Sequence, residues 1–158
     1  MVRLADLPEW ERDHMLKKVP ELPRFESRPW VRGPALWRRR VAIVTTAGLH
    51  LRGDRPFGSG ASGMDYRVIP HDVAASDLVM SHVSVNFDRS AFQADLNVAL
   101  PLDRLRELVR DGVVGSAADF HYSFMGAVSP VTRYEPKARE LAGLLRQDAV
   151  DAVLLTPV

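Results

Sequence analysis

The sequence predicts an open α/β fold of the flavodoxin or Rossmann kind, with a mostly parallel sheet flanked by helices, and an incomplete domain at that. Three observations predict it. Val41-Ala42-Ile43-Val44-Thr45-Thr46 is a short β-branched run ending in Ala47-Gly48, as a strand buried on both faces does before a sharp turn. Two stretches, from Pro101 to Asp111 and from Pro136 onward, carry apolar residues at helical spacing behind a leading proline. The second runs through Gln147-Asp148-Ala149-Val150-Asp151 into Ala152-Val153-Leu154-Leu155-Thr156, another run expected to be a buried strand.

In chain order, residues 1–40 read as a proline-rich, basic amino-terminal arm. Prolines at 8, 20, 23, 29 and 34 interrupt any long periodic element and leave one short helix starting near Pro8. Trp10, Phe25, Trp30 and Trp37 would anchor this arm, either on a neighbouring surface or, in the plainer reading, over the chain's own core. Arg38-Arg39-Arg40 suggests phosphate binding, but three cations directly ahead of an apolar strand read better as a solvated strand entrance. Arg52 to Gly63 holds too many turn formers for regular structure and should be an exposed loop. Tyr66 to Ile69 and Leu78 to Val83 are further strand candidates. On the helix from Pro101, Leu102, Leu105, Leu108 and Val109 form the inward face, and Gly112 follows where a left-handed cap is common. On the helix from Pro136, Ala138, Leu141, Ala142, Leu144 and Leu145 face inward, leaving Lys137, Arg139, Glu140 and Arg146 to solvent. The strands at Val41 and Ala152 should be parallel members of one sheet.

Composition narrows the function. A chain of 158 residues with 46% hydrophobic residues is about the size of one domain with a single core. A net charge of +1 argues against nucleic acid or an anionic membrane surface, so the expected partner is a small molecule or another protein. There is no membrane-spanning run and no signal-peptide core after Met1, which reads as cytoplasmic. Cysteine is absent, so neither a disulfide nor a thiol nucleophile is carried by these residues.

Chemistry-bearing residues gather where open parallel sheets place their ligands, beyond the carboxyl ends of the strands. Thr45, His50, His82 and His121 are expected to converge there, close to Thr156, the imidazoles protonating a leaving group or holding a reactive anion and Thr45 orienting a polar substrate. Ordinary structural hydrogen bonding is the competing role for each. Thr46, Asn86, Asp88 and Tyr122 are secondary candidates, set against turn formation for Asn86 and Asp88 and core packing for Tyr122. His14, His50, His71, His82 and His121, with Asp88 or Asp95, lack the tight spacing of a metal motif, so no metal is expected. No full glycine-rich fingerprint supports a dinucleotide around Thr45, Thr46 and Gly48.

Four blocks, in order, carry a family likeness: Val41 to Leu51; Asp95-Leu96-Asn97-Val98 with Pro101 to Leu108; Gly115-Ser116 with His121-Tyr122-Ser123-Phe124-Met125-Gly126; and Asp151 to Val158. Together they resemble the selenoprotein B family of glycine, betaine, sarcosine and D-proline reductases, and within it the members of unassigned substrate more than the amino-acid reductases proper. The resemblance makes 41–158 the amino-terminal part of an α/β reductase domain. It implies a selenocysteine or cysteine immediately after Val158, with no catalytic residue or cofactor in these residues themselves and no activity from them alone. A selenocysteine codon read as a stop would give this ending, as would a deliberate shortening or a natural short relative. The implied partners are a small-molecule substrate, a partner reductase subunit or thiol donor, and further copies of the chain in a homo-oligomer. The alternative is a non-catalytic α/β ligand-binding or assembly domain.

Overall fold

The structure, a computed structural model, describes residues 3–24, 31–58, 63–84, 89–127 and 130–158. In chain order its helices and strands are α1 (Glu9–Lys18), β1 (Arg40–Thr45), β2 (Leu49–Leu51), β3 (Tyr66–Pro70), β4 (Leu78–Met80), α2 (Ser90–Ala94), α3 (Leu102–Arg110), β5 (Ser116–Ala117), β6 (Phe120–Phe124), α4 (Glu135–Gln147) and β7 (Ala152–Thr156).

β1 is the axis of the main sheet. Along one side it pairs in parallel with β7, from Val41 opposite Ala152 to Thr45 opposite Thr156. Along the other it pairs in parallel first with β5 and then with β6, and β3 closes that side antiparallel to β6. The strands at Val41 and Ala152 are thus parallel, and immediate neighbours. β2 and β4 form a separate antiparallel ribbon, so the candidate strand at Leu78 exists outside the main sheet.

Strand alternation sorts β1 between two cores. Val41 and Ile43 join Leu49, Ile69, Leu100, Leu102 and Leu105 on the α3 face, while Val44 packs with Tyr122, Phe124 and Leu141 on the α4 face. Each fully buried Leu or Ile here contributes roughly 1.5–3 kcal/mol.

Several expectations are corrected. Leu108 is 41% exposed, because α3 buries the stripe Leu102, Leu105 and partly Val109, which leaves Leu108 on its flank. On α4 the small Ala138 and Ala142 are exposed and Leu141 is the buried residue. β7, expected to be buried, is an edge strand with Leu155 68% exposed, since only β1 flanks it among the described residues. Among the described residues the arm does not wrap over the core: α1 buries no residue, and Trp10 and Trp37 are 74% and 62% exposed. Phe25 and Trp30 lie outside the described residues.

Arg40 is not a solvated entrance either. Its Nε donates to the Asp148 carbonyl at 2.7 Å, Nη1 to the Ala117 carbonyl at 2.5 Å, and Nη2 to Asp119 at 2.7 Å and to the Asp148 carboxylate. It therefore ties β1, the turn before β6 and the end of α4 together at the amino edge. The hydrogen bond with Asp148 raises the guanidinium's pKa further. Burial alone would raise the Asp148 carboxyl, but Arg40 and the Asp119 N–H hold it below its ordinary value.

Candidate functional site

The carboxyl ends of β1, β6 and β7 lie side by side, Thr45 being in register with both Ser123 and Thr156. Thr45 and Ser123 are fully buried. Their hydroxyls hold the turns that leave the sheet. Thr45 Oγ1 donates to the Thr156 carbonyl at 3.3 Å and accepts the Ala47 N–H at 3.2 Å, and Ser123 Oγ accepts the Leu49 N–H at 2.8 Å. Thr156 Oγ1 donates to the Ala99 carbonyl at 3.1 Å. Thr46 accepts the Val158 N–H on its hydroxyl at 2.8 Å and donates its own N–H to the Thr156 carbonyl at 3.2 Å. Chain β7 therefore leaves the sheet pinned against Thr46.

Two glycines make this edge possible. Gly48 has φ +65°, and a Cβ there would stand 3.0 Å from the His82 backbone. Its N–H reaches the Phe124 carbonyl at 2.8 Å and its carbonyl accepts the Ser81 N–H at 3.0 Å, which brings β4's exit, and His82 with it, onto the β1 turn. Gly126 has φ +82°, and a Cβ there would lie 2.7 Å from the Thr46 carbonyl oxygen.

His82 is 5% exposed. Its Nδ1 accepts the Ser84 N–H at 3.1 Å, which places the proton of the neutral ring on Nε2. Burial first, and then the Arg89 charge, lower its pKa. His50, 2% exposed on β2, is the opposite tautomer: its Nδ1–H donates to the Leu51 carbonyl at 2.7 Å, and Nε2 meets no hydrogen-bond partner among the described residues. Its ring stands edge-on to Phe57 at 6.5 Å.

His121 occupies a different place. Between the pairs Val41–Ala117 and Val44–Tyr122, β1 advances three residues while its partner side advances five, so the ladder is bulged. The Ile43 N–H left over in that gap donates to His121 Nδ1 at 3.0 Å. An accepting Nδ1 leaves the proton on Nε2, which donates to His71 Nδ1 at 3.2 Å. The imidazole thus stands in for a backbone carbonyl beside mid-β1 and leads to His71 at the amino edge, away from Thr45. Burial, then the charge of His71, lowers its pKa to about 4.

Of the candidate residues, Thr45 and Thr46 lie at the carboxyl edge and His82 is carried onto it through Gly48. His50 is buried beside Phe57 on the ribbon, and His121 belongs to the ladder. Tyr122 is 2% exposed in the α4 core, its ring edge-on to Tyr66 at 5.8 Å, and burial raises its pKa. Asn86 and Asp88 lie outside the described residues. Among those described, no group of three or more His, Asp or Glu is placed to hold a metal ion. Sequence reasoning missed Thr156, whose signal was an apolar run ending in a hydroxyl residue, Ser123, which stands between two aromatic residues with no such signal, and the bond of His71 to His121, which had none without the bulge.

Comparison with known proteins identifies what this edge belongs to. The family model for glycine/sarcosine/betaine reductase selenoprotein B matches residues 16–158. The chain belongs to that family. Among curated relatives it is similar to D-proline reductase subunit gamma of Acetoanaerobium sticklandii, 35% identical over 117 residues, 73% of this chain and 47% of that one. It is also similar to glycine reductase complex component B subunit gamma of Symbiobacterium thermophilum, 33% identical over 142 residues, 87% of this chain and 32% of that one. A third relative is sarcosine reductase complex component B subunit beta of Peptoclostridium acidaminophilum, 30% identical over 141 residues. The chain spans about half of the first relative and a third of the other two. No solved structure matches it. The selenoprotein B match takes in every strand of the sheet and the whole carboxyl edge. No helix of the described residues is long and apolar enough to cross a membrane.

Proposed function

We propose that this chain is the amino-terminal part of a selenol- or thiol-dependent reductase-complex component, and that it seats a reactive residue following Val158. One observation carries the reading: β7 delivers Val158 to the joint carboxyl edge of three parallel strands, fixed there by the Thr46 hydroxyl. Names of the relatives support a reductase complex, and their greater length supports a longer polypeptide.

A selenolate or thiolate reacts as the anion. In the full protein it would exchange with a neighbouring cysteine by the chemistry that governs disulfides. The residues present supply the surroundings. His82, neutral near pH 7 and protonated on Nε2, is a hydrogen-bond donor suited to holding the anion or a departing group. Thr45 and Thr46 set the turn. A small-molecule substrate, a partner subunit or thiol donor, and self-association in a homo-oligomer in the cytoplasm complete the reading.

The gene beyond codon 158 tests it. An in-frame UGA, or a cysteine codon, followed by an open frame with further cysteine is expected. An ordinary stop with no frame beyond would leave the non-catalytic ligand-binding or assembly domain in its place.

A further inference from the structure

β7 has one side open: among the described residues it pairs only with β1. The Thr156 carbonyl faces β1, where it accepts the Thr46 N–H at 3.2 Å, so alternation along the strand turns the N–H and C=O groups of Val153 and Leu155 to the open side. The side chains of β7 are uncovered as well, and on both faces. Leu155 stands opposite Val44, which packs in the α4 core, so Val153 and Leu155 share that face, where they are 41% and 68% exposed. Leu154, opposite Ile43, lies on the α3 face and is 44% exposed. A strand that borders solvent is ordinarily protected by charge, proline or a polar face, and this one offers Val153, Leu154 and Leu155 in a row.

We propose that the open side of β7 is filled by the polypeptide that follows Val158: a crossover helix laid over Val153 and Leu155 on the α4 face, then a strand running parallel to β7 along its free edge. The inference rests on the reading of this chain as the amino-terminal part of a longer protein. The curated relatives are more than twice as long as the stretch they share with it, which leaves ample length for an occupant needing about a dozen residues or more. Topology chooses the face. The step from β6 through α4 to β7 passes over β1 with α4 on one face of the sheet, and parallel crossovers are right-handed in nearly all sheets. A further right-handed step outward from β7 continues in the same direction, so its helix falls on the α4 face, where Val153 and Leu155 stand bare. The added strand would flank Leu154 with side chains of its own. A second copy pairing edge to edge would satisfy the hydrogen bonds, but its helices would lie over its own strands. A helix laid over β7 begins beside the carboxyl edge, which joins the covering layer to the seat at Val158.

The test compares amide hydrogen exchange in the 158-residue chain with that in the longer polypeptide read from the gene, any in-frame UGA being replaced by a cysteine codon. In the shorter chain the Val153 and Leu155 amides should exchange at least about tenfold faster than that of Leu154, which faces β1. In the longer one they should slow to the rate of Leu154 at every protein concentration. Leu155→Lys should leave the melting temperature of the shorter chain nearly unchanged and lower that of the longer one by several degrees, because only there is the side chain covered. Open exchange at Val153 and Leu155 in the longer polypeptide, or equal melting shifts in both, would overturn the inference and leave the reductase reading standing where selenocysteine or cysteine follows Val158. Protection that rises with protein concentration would assign the edge to a second copy and overturn it too. Protection in a longer polypeptide that has neither residue beyond Val158 would support the inference while ending the reductase reading. An ordinary stop with no frame beyond would end both.

Discussion

Acidification should unfold this protein through His121 well before its carboxylates titrate. The ring is fully buried, accepts the Ile43 N–H on Nδ1 at 3.0 Å, and is held neutral with a pKa lowered to about 4 from the ordinary 6.5. A lowered folded-state pKa means that between those values the unfolded chain binds a proton that the native protein refuses. The stability contributed by the neutral ring is therefore whole above about pH 6.5 and is lost as the pH falls towards about 4. A shift of this size corresponds to about 3 kcal/mol at the acid end, a large share of an ordinary domain's stability. His71, also lowered by burial, adds in the same direction. Asp148, whose carboxyl is lowered from 3.8, loses its contribution only as the pH falls below that value, so the two effects occupy different windows. Urea unfolding at pH 7.5, 6 and 5, with NMR titration of the ring, measures this. His121→Phe should cost about 1–3 kcal/mol at pH 7.5, because the Ile43 N–H is left buried without an acceptor, and should flatten the slope between pH 7 and 5. A ring titrating near 6.5, or stability level from pH 7.5 to 5, would refute the reasoning.

Three further outcomes are expected. Gly126→Ala should lose at least about 1 kcal/mol by thermal unfolding, since alanine at a positive φ is strained and its Cβ would press on the Thr46 carbonyl at 2.7 Å; an unchanged melting temperature would show that this turn does not hold the edge. The chain of these residues alone should show no thiol-dependent reductase turnover, as it contains no cysteine, and measurable turnover by the purified chain would remove the argument for a nucleophile beyond Val158. In a read-through protein His82→Ala should lower turnover more than stability, whereas equal losses in both would make the ring structural.

The sheet was legible because its strands carry their burial in their composition. Val41 to Thr45 is apolar on both faces since β1 has neighbours on both sides and a core on each face, and its parallel orientation to β7 followed from the helices between them, though not that the two are immediate neighbours. The same reading misplaced β7. Ala152 to Thr156 has the composition of an interior strand, and composition records what a strand is suited to, not what stands beside it. Arg40 misled for a related reason: its carboxylate partner, Asp148, is distant in sequence and is brought near only by the turn after α4. The histidines were the least legible. A two-residue excess on one side of a ladder converts His121 from a strand-end donor into a backbone-like acceptor, and no local pattern announces such a bulge.

At the carboxyl edge the hydroxyls serve the backbone. Thr45, Thr46, Ser123 and Thr156 all place a side-chain oxygen there, and each is already bonded to a backbone group of an adjoining turn. A hydroxyl that must be released before it can meet a substrate costs the bond that fixes the turn, about 0.5–1.5 kcal/mol net and more where the partner is left buried. These residues therefore act by position: they hold three strand ends and Val158 in one fixed arrangement. A reactive selenolate or thiolate placed there would meet a rigid backbone seat, with the His82 ring carried in through Gly48. Preorganisation of that kind is useful to an anion because the dipoles around it need not turn when charge develops.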